Sequence, residues 1–316
     1  MVDFSTFYQF CGPVNSARDL QISLLSNFFI KIGSHITIHI FKNYFTIVFS
    51  VFSFQFQQNK FYPNRPINLP FLKKLSLSYV DADDKTIQKL VAGSPGIEDM
   101  KFLKYHGLKS IKFSGLIKAK SIEVELNDDL ERAELEASNL CRVVISQTKQ
   151  CEINLLSCNN LRMLTLSAPN ITDKWSHNHF SQLPLVEYLS IYSRTLERLK
   201  ISSHSLKTLY LMHWGSLIEV DIDTPNLCKF AYCGRNVIPF LSNALAVSEV
   251  TYQMLKPPLD IAPWNVEKIE FLTKLRKSKQ LTLTSTSAKV ILLSFIWYIF
   301  SFSSPFLYII YSHMLL

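Results

Sequence analysis

The side chains best suited to chemistry are few, and their spacing does not assemble a reactive centre. The closest of the six cysteines are Cys151 with Cys158 and Cys228 with Cys233. Neither pair has the short C-x-x-C gap of a zinc knuckle, so buried free thiols in a reducing compartment are expected. His177 and His179 flank Asn178 near Trp175 and could suggest a metal site. No matching Cys, His or carboxylate motif lies nearby, and the segment reads as a surface loop; His204 and His213 read as turn residues after strands. Asn170-Ile171-Thr172 matches a glycosylation sequon, a chance match in a chain whose N-terminus shows no secretory signal. No phosphate loop, dinucleotide fingerprint, HExxH or GxSxG appears, and eight glycines leave little for a glycine-rich loop. The expectation is a protein that is not an enzyme and takes no metal or cofactor.

Charge narrows the partners. Lys plus Arg is 33 against 25 Asp plus Glu, a formal net charge of +8. The surplus is not gathered into a basic stripe interleaved with aromatics, so nucleic acid is not expected. The densest basic stretch, Lys274, Arg276, Lys277 and Lys279, reads as a solvated face.

What could position a recognition surface is a repeat, written apolar-x-x-apolar-x-apolar. It begins at Leu72, Ile97, Ala119, Leu140, Leu161, Val186, Leu206, Leu227, Val247 and Val266, in steps of 25, 22, 21, 21, 25, 20, 21, 20 and 19 residues. Leucine-rich repeats run about 20–29 residues with one strand each. The last two apolar positions are two apart and so share one face of a strand. No single repeat can bury that face alone; stacked repeats make one continuous core. A weaker set begins halfway between, at Leu108, Leu130, Gln150, Leu196 and Leu217, and reads as return strands on the opposite wall. A sandwich with strands every ten residues or so would have no reason to keep so long a register.

Turn and helix signals fit this plan. Asn139, Asn160, Ser205 and Asn226 precede main strands, where such residues favour turns and bond their own backbone. The first wide step contains DADDKTIQKLVAG, with Ile87, Leu90 and Val91 at helical spacing, Asp83 or Asp84 as N-cap and Gly93 at the end. The expected fold is α/β, a leucine-rich-repeat solenoid of mainly parallel strands with few short helices, over residues 68–285.

If the main strands line the concave wall, neighbouring coils present Met163, Tyr188, Tyr192, Tyr210 and Met212 to solvent together. Tyr and Met are enriched at interfaces, so these five form the expected protein-binding patch; the opposite expectation is that they pack under a loop, or that the other wall is the concave one.

Both ends depart from the repeats. Residues 1–67 hold no recognised domain, and 22–57 carry only Lys31 and Lys42 among many apolar residues, as in FTIVFSVFSFQF. Residues 290–316 carry no Asp, Glu, Lys or Arg and are long enough for a transmembrane helix, which needs about 20 apolar residues, although Ser301, Ser303, Ser304 and Pro305 interrupt it. The rival expectation is that both ends are translated non-coding sequence from a faulty gene model. The chain is accordingly expected in the cytoplasm or nucleus, or at a membrane by its tail.

LPFLKKLSLSYVDADDKTIQKLVAGSPGIEDMKF and SLIEVDIDTPNLCKFAYCG resemble the plant F-box/LRR proteins, including those with an FBD module. The first has a strand, an acidic turn, a short helix and a segment in which Ser94 stands for the family's cysteine and Ile97 and Met100 for its leucines. The second aligns at Ile222, Asp223, Thr224, Pro225, Asn226, Leu227, Phe230, Tyr232 and Gly234. The resemblance implies the substrate-recognition part of an SCF-type ubiquitin ligase receptor, whose repeats hold a protein substrate. A Skp1-type adaptor is implied only if an F-box exists upstream, since residues 1–67 contain none. Without one, the alternatives are a tail-anchored repeat protein and a truncated, non-functional product.

Overall fold

The computed structural model describes residues 36–41, 44–49, 51–60, 69–104, 107–125, 130–168, 171–213, 217–234, 240–242, 247–254, 278–285 and 307–311. The chain forms two units, Met1–Asn160 and Leu161–Leu316.

The first unit opens with an antiparallel hairpin of β1 (Ile36–Phe41) and β2 (Tyr44–Phe49). A parallel main wall follows, in the order β3 (Val51–Lys60), β4 (Lys74–Asp81), β5 (Asp99–Leu103), β7 (Ser121–Glu125) and β9 (Arg142–Ser146). The strands between them, β6 (Ser110–Ser114), β8 (Arg132–Glu136) and β10 (Glu152–Asn154), form a second parallel sheet. One coil is thus a main strand, a turn, a return strand and a turn. Period-2 alternation drives both walls inward: Met100, Phe102, Ile122 and Val124 are buried from the main wall, Ile111 and Phe113 from the return wall. Phe102 and Phe113 stack inside, with ring centroids 6.1 Å apart. Each such side chain contributes about 1.5–3 kcal/mol by leaving water.

The second unit repeats the arrangement. Its main wall runs β11 (Met163–Ser167), β12 (Tyr188–Ser193), β14 (Thr208–His213), β16 (Lys229–Gly234), β18 (Glu249–Met254), β19 (Gln280–Ser285) and β20 (Leu307–Tyr311). Its return wall is β13 (Arg198–Ser202), β15 (Glu219–Asp223) and β17 (Phe240–Ser242).

The main-set repeats from Leu72 to Val247 each lead into a main-wall strand, and all five of the weaker set lead into return strands. β18 pairs directly with β19; the repeat at Val266 lies outside the described residues. β17 has no counterpart in the sequence pattern. The main walls also extend past residues 68–285, through β3 on one side and β20 on the other. β20 lies in the apolar tail for which a membrane helix was one expectation, and there the chain is strand. Among the described residues, no helix is long and apolar enough to cross a membrane.

Both 25-residue steps hold a helix. α1 (Asp84–Ala92) is capped by Asp83, whose carboxylate accepts from the Thr86 N–H at 2.9 Å, and ends at Gly93. Ile87, Leu90 and Val91 are its buried face, and the buried Ser94 hydroxyl donates to the Leu90 carbonyl at 2.8 Å. α2 (Asp173–Phe180), capped by Thr172, replaces the surface loop expected around His177 and His179. The loop reading failed because this segment lacks an apolar stripe; a Thr cap and an Asp in the first turn suffice to start a short helix.

These helices also finish the return sheets. Within each sheet, the first N–H groups of a strand donate to the preceding strand's flank: Glu131 and Arg132 to the Lys109 carbonyl, Ile218 and Glu219 to that of Glu197. β6 and β13 come first in their sheets. The Asp84 carboxylate accepts from Lys109 N–H at 2.7 Å and Ser110 N–H at 3.1 Å. Asp173 accepts from Glu197 N–H at 2.8 Å and Arg198 N–H at 3.0 Å. A carboxylate at the start of each helix thus stands in for the missing strand.

The asparagines before main strands act differently from the expected local turn bonds. Asn139, Asn160 and Asn226 donate their side-chain N–H to the carbonyls of Ile117, Ser138 and His204, each 22 residues earlier. They tie one coil to the next.

Candidate protein-binding surface

In β11, β12 and β14 the buried apolar residues are Leu164, Leu166, Leu189, Ile191, Leu209 and Leu211. Because side chains alternate, the residues between them must face away from the core. All five residues expected in the patch do so. The parallel register sets Met163 beside Tyr188, and Tyr192 beside Met212, while Tyr210 lies opposite Ser190. Neighbouring strands lie about 4.8 Å apart, so the aromatic rings meet diagonally: the Tyr188 and Tyr210 centroids are 5.5 Å apart and tilted by 40°. Tyr210 is 40% exposed and Met212 47%, whereas Met163, Tyr188 and Tyr192 are half-buried by their neighbours. Partial burial, with Tyr210 alongside, raises the Tyr188 hydroxyl above its ordinary pKa, and Ser190 hydrogen bonds to it. The cluster offers an apolar floor with neutral hydroxyl donors.

A charged flank runs beside it, and sequence reading missed it. Glu187 is held between Arg162, at 2.5 Å, and Lys207, at 2.7 Å, and these two cations lower its pKa. Lys229 pairs with Glu249 at 2.9 Å, and the Arg194 Nε donates to the Tyr192 hydroxyl at 3.5 Å. The available signal was alternating charge directly after the first apolar residue of consecutive repeats, at Arg162, Glu187 and Lys207, with Lys229 and Glu249 one position later in theirs.

The remaining candidates scatter. His179 is buried on α2, its ring stacked on Trp175 at 4.2 Å, and its Nδ1 donates to the Trp175 carbonyl at 3.0 Å. His177 and His204 are exposed. Burial pushes the Cys151 thiol up to about 12 and that of Cys158 up to about 11, so neither supplies a thiolate near neutral pH. Among the described residues no group of three or more His, Cys, Asp or Glu could hold a metal ion. Asn170 and the His213 side chain lie outside the description.

Parallel strands on two walls, coils near 21 residues and a leucine-dominated interior define a leucine-rich-repeat solenoid. Over residues 46–197, a little under half of the chain, the sequence matches the model of the leucine-rich-repeat domain of At1g61320/AtMIF1, a plant family. No curated protein and no solved structure matches the chain. The fold suits a protein-binding scaffold.

Proposed function

We propose that this chain is a non-catalytic recognition scaffold that binds a protein through Met163, Tyr188, Tyr192, Tyr210 and Met212. The observation that carries this reading is the tilted Tyr188–Tyr210 pair, in which a half-buried Tyr188 supports Tyr210, exposed with Met212 on the face turned away from the core. The two segments that resemble plant F-box/LRR proteins favour a substrate-recognition role in ubiquitin transfer. A Skp1-type adaptor would enter only where an F-box is joined to the repeats. The buried Cys158 thiol, which forms no disulfide, favours action in the cytoplasm or nucleus.

The test is proximity labelling in plant cells with the wild-type chain and the Tyr188→Ala/Tyr210→Ala variant. Specific partners should be recovered with the wild type and lost with the variant at equal protein level. Purified partner should bind each single variant about 1–3 kcal/mol more weakly, as for aromatic hot spots. Identical partner sets and affinities in wild type and variant would sink the assignment of this face.

A further inference from the structure

We infer that the Tyr/Met face takes a peptide segment in which a large apolar side chain is flanked by Asp or Glu. This rests on the reading of that face as the binding surface and adds the partner's chemistry. β11, β12 and β14 present no acidic side chain. Around them stand four cations, Arg162, Arg194, Lys207 and Lys229, against two carboxylates. Glu187 is shared by Arg162 and Lys207, and Glu249 serves Lys229. Among the described residues, no carboxylate forms an ion pair with Arg194, which is exposed and reaches the Tyr192 hydroxyl.

The rim is therefore positive and the floor is apolar with hydroxyl donors. A carboxylate from the partner would accept from the Arg194 guanidinium and the Tyr192 O–H, while an adjacent apolar side chain covers Tyr210 and Met212. A basic segment would meet like charge at the same rim, which is how charge selects partners more than it strengthens them.

The experiment is selection of a random-peptide display library on the immobilised full chain, with binding of the winners measured on Arg194→Glu, Arg194→Lys and Tyr210→Ala; thermal melts establish that each is folded. Winners should place Asp or Glu within a few residues of Phe, Leu or Trp. They should bind Arg194→Glu at least about tenfold more weakly, in keeping with the loss of an interfacial charge pair, and Arg194→Lys nearly as well as wild type. Basic or uncharged winners, or acidic winners lost with Tyr210→Ala but indifferent to Arg194→Glu, overturn the partner chemistry and leave the face standing. Winners indifferent to all three variants overturn the face as well, and a library that yields no binder overturns the peptide-partner proposal.

Discussion

Where β12 of the second unit carries Tyr188 and Tyr192, the corresponding β5 of the first carries Asp99 and Leu103; where β14 carries Tyr210 and Met212, β7 carries Glu123 and Glu125. The correspondence follows from the repeat frame. Leu72 and Leu161, Asp84 and Asp173, and Ile97 and Val186 each stand 89 positions apart, and Ala119 and Leu206, and Leu140 and Leu227, 87 apart. Both units place a helix in the same wide step and cap the return sheet with its first aspartate. The flanking charges agree too: Glu98 lies between Lys73 and Lys120 as Glu187 lies between Arg162 and Lys207.

The outward face of these strands differs in kind. In the first unit, Lys101 and Arg142 converge on Glu123. Burial raises the Glu123 pKa, but hydrogen bonds from those cations bring it below the ordinary value; burial and Glu123 itself raise that of Glu125. A frame that tolerates carboxylates at these positions does not require tyrosines there. The aromatic content of the second unit is therefore not a demand of packing, which is the physical reason to seek its cause in a partner.

The largest test of the correspondence is Gly234. A Cβ there would lie 2.0 Å from the Tyr232 hydroxyl oxygen. The counterparts 87 positions earlier are Ile145 and Gln147, a shorter residue followed by a longer one, with the Gln147 amide buried and, among the described residues, without a hydrogen-bond partner. Gly234→Gln should cost about 3 kcal/mol or more by overpacking. Adding Tyr232→Ile should recover at least about 1 kcal/mol, since residues competing for one space are coupled. Denaturant unfolding of the four proteins of that cycle measures this, and strict additivity would break the correspondence.

Next in size are the sheet-capping aspartates. Asp84→Ala and Asp173→Ala should each cost about 1–3 kcal/mol, because two backbone N–H groups lose their acceptor. Hydrogen exchange should quicken at Lys109 and Ser110 in one variant and at Glu197 and Arg198 in the other. A cost in only one unit would show that the shared geometry hides different energetics.

The smallest expected effect separates the helices. His179 occupies the position of Leu90, 89 residues earlier. Among the described residues its buried Nε2 has no hydrogen-bond partner, and burial lowers its pKa below the ordinary value of 6.5 despite the bond to Trp175. A histidine whose folded pKa is depressed adds its stability above the unfolded pKa and loses it as pH falls through the folded value. The wild type should therefore lose melting temperature on acidification below about 6.5, and His179→Leu should lose less. Parallel pH profiles for the two proteins would exclude this histidine as the cause.

The resemblance to F-box/LRR proteins included a Phe230-x-Tyr232-x-Gly234 segment without a reason for it. The structure supplies one: Tyr232 and Gly234 lie two apart on one inward face, and the absent side chain makes room for the hydroxyl. The five face residues were legible because strand alternation and the repeat step together place them. Their charged flank was not, because each ion pair joins residues about one coil apart and looks like ordinary surface charge within any single repeat. The second helix escaped for a related reason, having a cap but no apolar stripe.

What the sequence by itself determined is the solenoid: two walls, the main and return strands, and which side of each strand faces in. Those follow from a period of two within a strand and a step near 21 between strands, both local properties of the chain. The tertiary structure alone decided that Asp83 caps a helix while its neighbour Asp84 caps a sheet, and that asparagine side chains bridge coils. It also decided that the end of the chain adds the strand β20 where a spanning helix had been one expectation. These outcomes depend on which backbone groups of one coil are left open by the next, and that is set by the register between coils rather than by the residues near each in sequence.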